Sequence, residues 1–414
     1  MNYFLWQVAR IASICAAVAA VLDCGTSNPT PVAERTTATT QAVAAPDAGP
    51  PQQQITIAST PNAKCTLNSR GATMPAWADD SGIVHLWASP TSTSDQYTLD
   101  CDEAGTAVQY PFDLANPATF VPASARFIPM ARKIRPALTD PAGPSPAEII
   151  SAGYPPRPDP KLAPEMYQNW LAVVSTPAVI VPPFLVELPD RTFGPAQPWN
   201  SPAWCGLAMD QAARYTYSSA YFYIPQFGPY GATYESTIWG GLGGADNDDI
   251  IQDGVDYESL YGVGTYTPWY EYYWKKPVGN FNMNVAPNDF MVEYAWEADA
   301  SCNNVPGGGY ACFLYEDETP NPPLSFASGP IQAPDANFTG WTAEAIIEKQ
   351  PYYALAPWAG ANVALYATDS NGQSHTFNSD AYLNATLVNG SGQALCISGQ
   401  MSAAQASFWW EGPQ

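Results

Sequence analysis

Two segments about a hundred residues apart constrain this chain most: Ile250–Tyr257 (IIQDGVDY) and Trp341–Glu348 (WTAEAIIE). Both read as β-strands, and a strand sends successive side chains to opposite faces. Gln252 and Asp256 therefore share one face of the first, and Glu344 and Glu348 share one face of the second. A carboxamide and a carboxylate presented from a rigid sheet suit hydrolysis. The carboxylate takes a proton from water, and the amide N–H holds a developing oxyanion.

Period-two alternation recurs through the later half of the chain. Tyr215, Tyr217, Ser219, Tyr221 and Tyr223 alternate with other residues, as do Phe281, Met283 and Val285 with Asn280, Asn282 and Asn284. Turn signals at Pro287-Asn288-Asp289, Gly307-Gly308-Gly309 and Ser370-Asn371-Gly372 punctuate them, and helical periodicity is nearly absent. That pattern predicts an all-β sandwich over 191–414. Within the run 269–274, alternation puts Glu271 between Trp269 and Tyr273 on one face. A charged group between large aromatics suits a groove wall, with a half-buried edge strand as the plainer reading.

The chain opens with a thin positive region at Arg10 and an apolar stretch, 11–22, too short to span a bilayer. Residues 1–24 are therefore predicted to be an export signal. The box VLDC at 21–24 resembles a lipoprotein cleavage site with Cys24 as the lipidated residue, although Asp23 departs from the small residue wanted there. A secreted or surface-tethered protein is expected. Six cysteines lie beyond Cys24, and an even count in an exported chain predicts three disulfides among fifteen connectivities. Proximity favours Cys65–Cys101 and Cys302–Cys312, leaving Cys205–Cys396.

Residues 25–63, rich in Thr, Pro, Ala and Gln, read as a disordered linker. The region 64–190 reads as a small mixed domain or propeptide. Short apolar runs such as Gly82–Trp87 suggest strands, and Ser145-Pro146-Ala147-Glu148 has the form of a capping box that starts a short helix. Pro164–Val174 carries Met166, Trp170 and Val173 at helical spacing. The basic cluster Arg126, Arg132, Lys133 and Arg135 is either a solvated surface or a patch that docks on the acidic later half. That half holds 22 acidic and 5 basic residues, net −17. A Pro-rich connector follows at 177–202.

Charge excludes some functions. With 38 acidic against 15 basic residues the net charge is −23, so a basic patch for nucleic acid is not expected. So few cations also mean that few carboxylates rely on ion pairs, and protonating them removes little native stabilisation. Two histidines, His85 and His375, and no CxxC pair argue against zinc and against His-based catalysis. The acidic loop Asp246-Asn247-Asp248-Asp249 lacks the pattern of an EF-hand. No metal or cofactor is expected, and a monomer is.

These motifs carry a family resemblance. IIQDGVDY, PWYEYYW at 268–274, TAEAIIE at 342–348, Trp239 in TIWGG and WCGLAM from Trp204 resemble, in order and spacing, the glutamic peptidases or eqolisins. The resemblance covers roughly 200–370. It implies two packed antiparallel sheets, concanavalin-like, and a peptidase working in acid through a catalytic dyad that falls on Gln252 and Glu348. It also implies a substrate role for Trp239, Trp204, Glu271 and Asp256; read alone, either Trp would be a core residue. Gly243 and Thr267 depart from the family pattern, each standing where an acidic residue is common. The competing readings are a carbohydrate-binding or glycan-cleaving sandwich using Glu271, Glu344 and Glu348, and an inactive peptidase relative.

Overall fold

The computed structural model describes residues 53–411, except residue 80 and residues 89–95, 114–132, 182–185, 188–199, 211–213, 229–232, 246–248, 274–278, 281–282, 333–337, 351–352 and 359. The predicted export signal, Cys24, Arg126, Arg132 and most of the acidic loop lie outside the described residues.

The chain begins with β1 (Gln53–Ala58), β2 (Lys64–Ser69), β3 (Ala72–Trp77), β4 (Ile83–Ala88), β5 (Gln96–Glu103) and β6 (Thr106–Asp113). Strands β3–β2–β5–β6 form an antiparallel sheet, and β1 pairs with β4. Strand β1 falls inside the stretch that composition assigns to a disordered linker. Ile55 and Ile57 alternate with Gln54 and Thr56 and enter the core of this module, so local alternation outweighs the polar composition around it. Cys65 and Cys101 sit opposite each other on β2 and β5 and form a disulfide.

Next come β7 (Lys133–Arg135), α1 (Pro146–Ser151), α2 (Pro164–Val174) and β8 (Ala178–Ile180). The capping box forms as predicted. The Glu148 carboxylate accepts from the Ser145 backbone N–H at 2.7 Å, and the Glu148 N–H donates to the Ser145 hydroxyl. On α2, Met166 and Val173 pack with Tyr294, Trp296 and Leu314 of the sandwich, while Trp170 packs with Ile149 and Tyr154.

The sandwich follows: β9 (Val186–Glu187), β10 (Asn200–Ser201), β11 (Trp204–Asp210), β12 (Tyr215–Tyr223), β13 (Thr233–Gly243), β14 (Ile250–Leu260), β15 (Val263–Tyr273), β16 (Gly279–Asn280), β17 (Phe290–Ala298), β18 (Tyr310–Asp317), β19 (Leu324–Ala327), β20 (Ile331–Gln332), β21 (Thr342–Glu348), β22 (Ala361–Asp369), β23 (Ser374–His375), β24 (Ala381–Val388), β25 (Ala394–Gln400) and β26 (Gln405–Trp410). One antiparallel layer runs β24–β11–β21–β13–β14–β15. The other runs β25–β26–β22–β12–β17–β18–β19. Alternate residues of both enclose the main core, among them Leu207, Ile238, Val255, Ile347, Phe222, Phe313, Val363 and Phe408. The fold is the all-β sandwich that the alternation predicts.

The predicted alternating strand at 280–285 does not extend that far. Met283 and Val285 are buried in the core without a strand of their own, just before the turn at Pro287–Asn288, where Asn288 takes φ +71°. The disulfides Cys205–Cys396 and Cys302–Cys312 are both present. Three disulfides fit an oxidising, extracellular setting, and no helix among the described residues is long and apolar enough to cross a membrane.

The early segments are built into the sandwich. Strand β8 pairs in parallel with β19, β7 pairs with β8, and β4 pairs with β15 at Val263 and Gly264. Arg135, 1% exposed, forms a buried ion pair with Glu316 on β18. It also donates to Ser325 at 3.2 Å and lies over the Tyr154 ring. Of the basic cluster, Arg135 docks on the acidic half, as the second of the two readings has it.

Candidate active site

Strand register decides which side chains meet. On β13, Gly241 lies opposite both Gln252 (β14) and Glu344 (β21), and Gln252 in turn lies opposite Glu271 (β15). A second row, four residues along, holds Thr267, Asp256, Thr237, Glu348 and Trp204. Between these rows lies a third, of Trp269, Gly254, Trp239, Ile346 and Gly206. Directly opposed residues share a face, so Gln252, Glu348, Glu271, Asp256, Trp239 and Trp204 all project from one side of one sheet. It is the side away from the main core, where Trp204, Trp239, Ile250, Trp269 and Ile346 form their own apolar cluster.

The site is built from polar groups set among these aromatics. Gln252 Nε2 donates to Glu271 Oε2 at 2.6 Å, and Trp239 Nε1 donates to Glu348 Oε2 at 2.9 Å. The Thr237 hydroxyl donates to Asp256. Trp204 meets Trp239 edge-on, with ring centroids 5.2 Å apart. Gln252 and Glu348 are each only 2% exposed, and Gln252 Oε1 has no hydrogen-bond partner among the described residues.

Glycines let the neighbouring strands β13 and β14 approach within a row. A Cβ on Gly241 would lie 2.9 Å from the Gln252 Cβ, and one on Gly254 would lie 2.5 Å from the Trp239 Cβ. Gly243, where the eqolisin pattern has an acidic residue, takes φ +79°, and a Cβ there would lie 2.5 Å from the Asp249 carbonyl. The turn out of β13 thus demands glycine at that position. Thr267, the other departure, faces Asp256 across the β14–β15 ladder.

Trp269 shares the face of Glu271, as alternation in 269–274 predicts; it lies in the row between Gln252 and Glu348, and its Nε1 has no partner among the described residues. Sequence reasoning left one feature unread. On the opposite, core-facing side of β14, Asp253 is buried near Glu293 of β17 and Tyr315 of β18. Burial pushes the Asp253 carboxyl well up, and burial together with Asp253 does the same to Glu293. The signal for Asp253 was its place next to Gln252: with period two, one faces out and the other in. No cluster of His, Cys, Asp and Glu fit for a metal occurs among the described residues.

Residues 202–294 match the sequence model of the Peptidase A4 family, so the class is that of a peptidase. The matched stretch contains Trp204, Trp239, Gln252, Asp256 and Glu271. Among solved structures, the chain is similar to scytalido-glutamic peptidase crystallised with a transition-state analogue inhibitor. The identity is 17%, covering 50% of this chain and 98% of that one, with a TM-score of 0.42. It is also similar to SCP-B, an eqolisin in complex with the tripeptide Ala-Ile-His (16% identity, 50% and 98% covered, TM-score 0.41). Aspergilloglutamic peptidase from Aspergillus niger aligns at 20% identity over 43% of this chain and 99% of that one, with a TM-score of 0.35. No curated protein matches the chain.

Proposed function

We propose that this protein is an exported endopeptidase, active in acid, in which Gln252 and Glu348 form the catalytic pair. The observation that carries the reading is their presentation from one face of one sheet, each side chain gripped by a neighbour. Glu271 fixes the Gln252 amide and Trp239 fixes the Glu348 carboxylate. Two strand spacings and four residues put the two backbones about 16 Å apart.

Glu348 takes a proton from the water as its oxygen bonds to the carbonyl carbon. The displaced π electrons collect on the carbonyl oxygen, where a Gln252 N–H stabilises them. The protonated Glu348 then gives its proton to the leaving nitrogen as the C–N bond breaks, so no acyl-enzyme forms. Trp204, Trp239, Glu271 and Asp256 line the substrate side.

In this reading the chain acts as a monomer on protein or peptide substrates. Residues 1–24 direct export, with Cys24 the residue to test for lipid, and 64–190 act as a leader. Cleavage of acid-denatured albumin at about pH 3–4 tests the activity. Wild-type protein should cut it, and Gln252→Ala should lose about 10²–10³-fold. Equal rates from the two proteins would remove Gln252 from the mechanism.

A further inference from the structure

We infer that the indole N–H of Trp269 is a second donor to the substrate carbonyl oxygen, completing with Gln252 a two-donor oxyanion site. This rests on the peptidase reading above. Trp269 is 3% exposed and its Nε1 has no hydrogen-bond partner among the described residues. A buried N–H without an acceptor is costly, so each one calls for a physical reason, a catalytic role among them.

Position supports the same role. Trp269 lies directly opposite Gly254, in the row between those of Gln252 and Glu348. It is the diagonal neighbour of Gln252, about 7–8 Å away and within reach of an aromatic side chain. Gly254, between Trp269 and Trp239 in that row, carries no side chain. The neighbouring indole, Trp239, already spends its N–H on Glu348. A carboxamide nitrogen carries two hydrogens, and one of those on Gln252 goes to Glu271. The remaining Gln252 N–H and the Trp269 N–H are two donors free to converge on one oxygen. As water adds to the carbonyl carbon, the new negative charge grows on that oxygen, and both bonds strengthen.

Trp269→Phe keeps an aromatic ring in the cluster and removes only the N–H. The expected result is a fall of about 10²-fold in kcat with KM changed less than about threefold, because the bond strengthens only as charge develops. The melting temperature should hold or rise. A kcat within about twofold of wild type, in a preparation where Gln252→Ala is inactive, overturns the donor role and leaves the proposed function standing. A wild-type protein that cleaves nothing sinks the proposed function and this inference with it. Should Trp269→Phe fail to fold, wild-type protein with ¹⁵N-labelled tryptophan gives an independent answer. Adding a phosphinate peptide, whose anionic oxygen mimics the tetrahedral intermediate, should move the Trp269 indole N–H resonance downfield, and an unmoved resonance on saturation overturns the inference.

Discussion

The two faces of β14 bury acids by opposite means. Outward, the carboxylates of Glu348, Asp256 and Glu271 each receive a hydrogen bond from a neighbouring strand, from Trp239, Thr237 and Gln252. Inward, Asp253 and Glu293 meet each other and Tyr315 in the core; Glu293 accepts from the Gly240 N–H and the Tyr315 hydroxyl, but burial outweighs both. Burial favours the neutral form of an acid, and hydrogen bonds to a carboxylate work against that. One strand therefore carries hydrogen-bonded carboxylates on one side and, on the other, acids whose titration burial raises.

The largest effect should come from the outward face. Glu348→Gln is expected to lower peptidase kcat by about 10²–10⁴-fold, with an unchanged circular dichroism spectrum. Asp253→Asn, one residue from Gln252 but on the inner face, should leave kcat within about threefold. Comparable losses from both would erase the distinction between the faces.

A third kind of buried acid sharpens the contrast: Glu316, which meets a full cation in Arg135. Arg135→Ala strands that carboxylate in the interior and should destabilise the protein by about 3–5 kcal/mol in urea unfolding. A loss under about 1 kcal/mol would mean that the pair behaves like a surface ion pair.

The inner face also predicts a pH dependence. Asp253 and Glu293 are raised by burial, and Asp317 is raised to about 8 by burial and by neighbouring Asp289. The folded state then binds more protons than the unfolded one above the ordinary carboxylate range. Their stabilisation is complete in acid and is lost as pH climbs from about 4 through about 8. Melting temperature should fall across that window, and the double variant Asp253→Asn, Glu293→Gln should flatten the decline. A wild-type melting temperature that rises from pH 4 to 8 would refute the assignment. The smallest effect is expected from Thr237→Val, which removes the donor to Asp256 and should lower stability by about 1–2 kcal/mol.

Much of this was legible before any coordinates. The strands around Gln252 and Glu348 follow from alternation, as do the shared faces, and α2 spans the residues that its apolar stripe predicts. Two disulfides pair as proximity suggests, and the third joins the two cysteines left over. Register was not legible, because it depends on which strands become neighbours. For that reason Glu344 emerged only in three dimensions as the acid level with Gln252 across Gly241, with Glu348 four residues further on. Arg135 was read only as one of a basic cluster, since its partner lies 181 residues away. Asp253 was missed for a different reason: a polar residue in a strand suggests the wet side, and here it lies inside.

The cystine bridges all fall on one side or the other of the stretch 182–199: Cys65–Cys101 before it, Cys205–Cys396 and Cys302–Cys312 after it. Among the described residues, a protease nick there would sever the only covalent tie between the two parts. The β8–β19 ladder and the Arg135 anchor would go on holding them together. Such a nicked enzyme should elute from a sizing column as one particle, yet run as two bands in detergent even without a reducing agent.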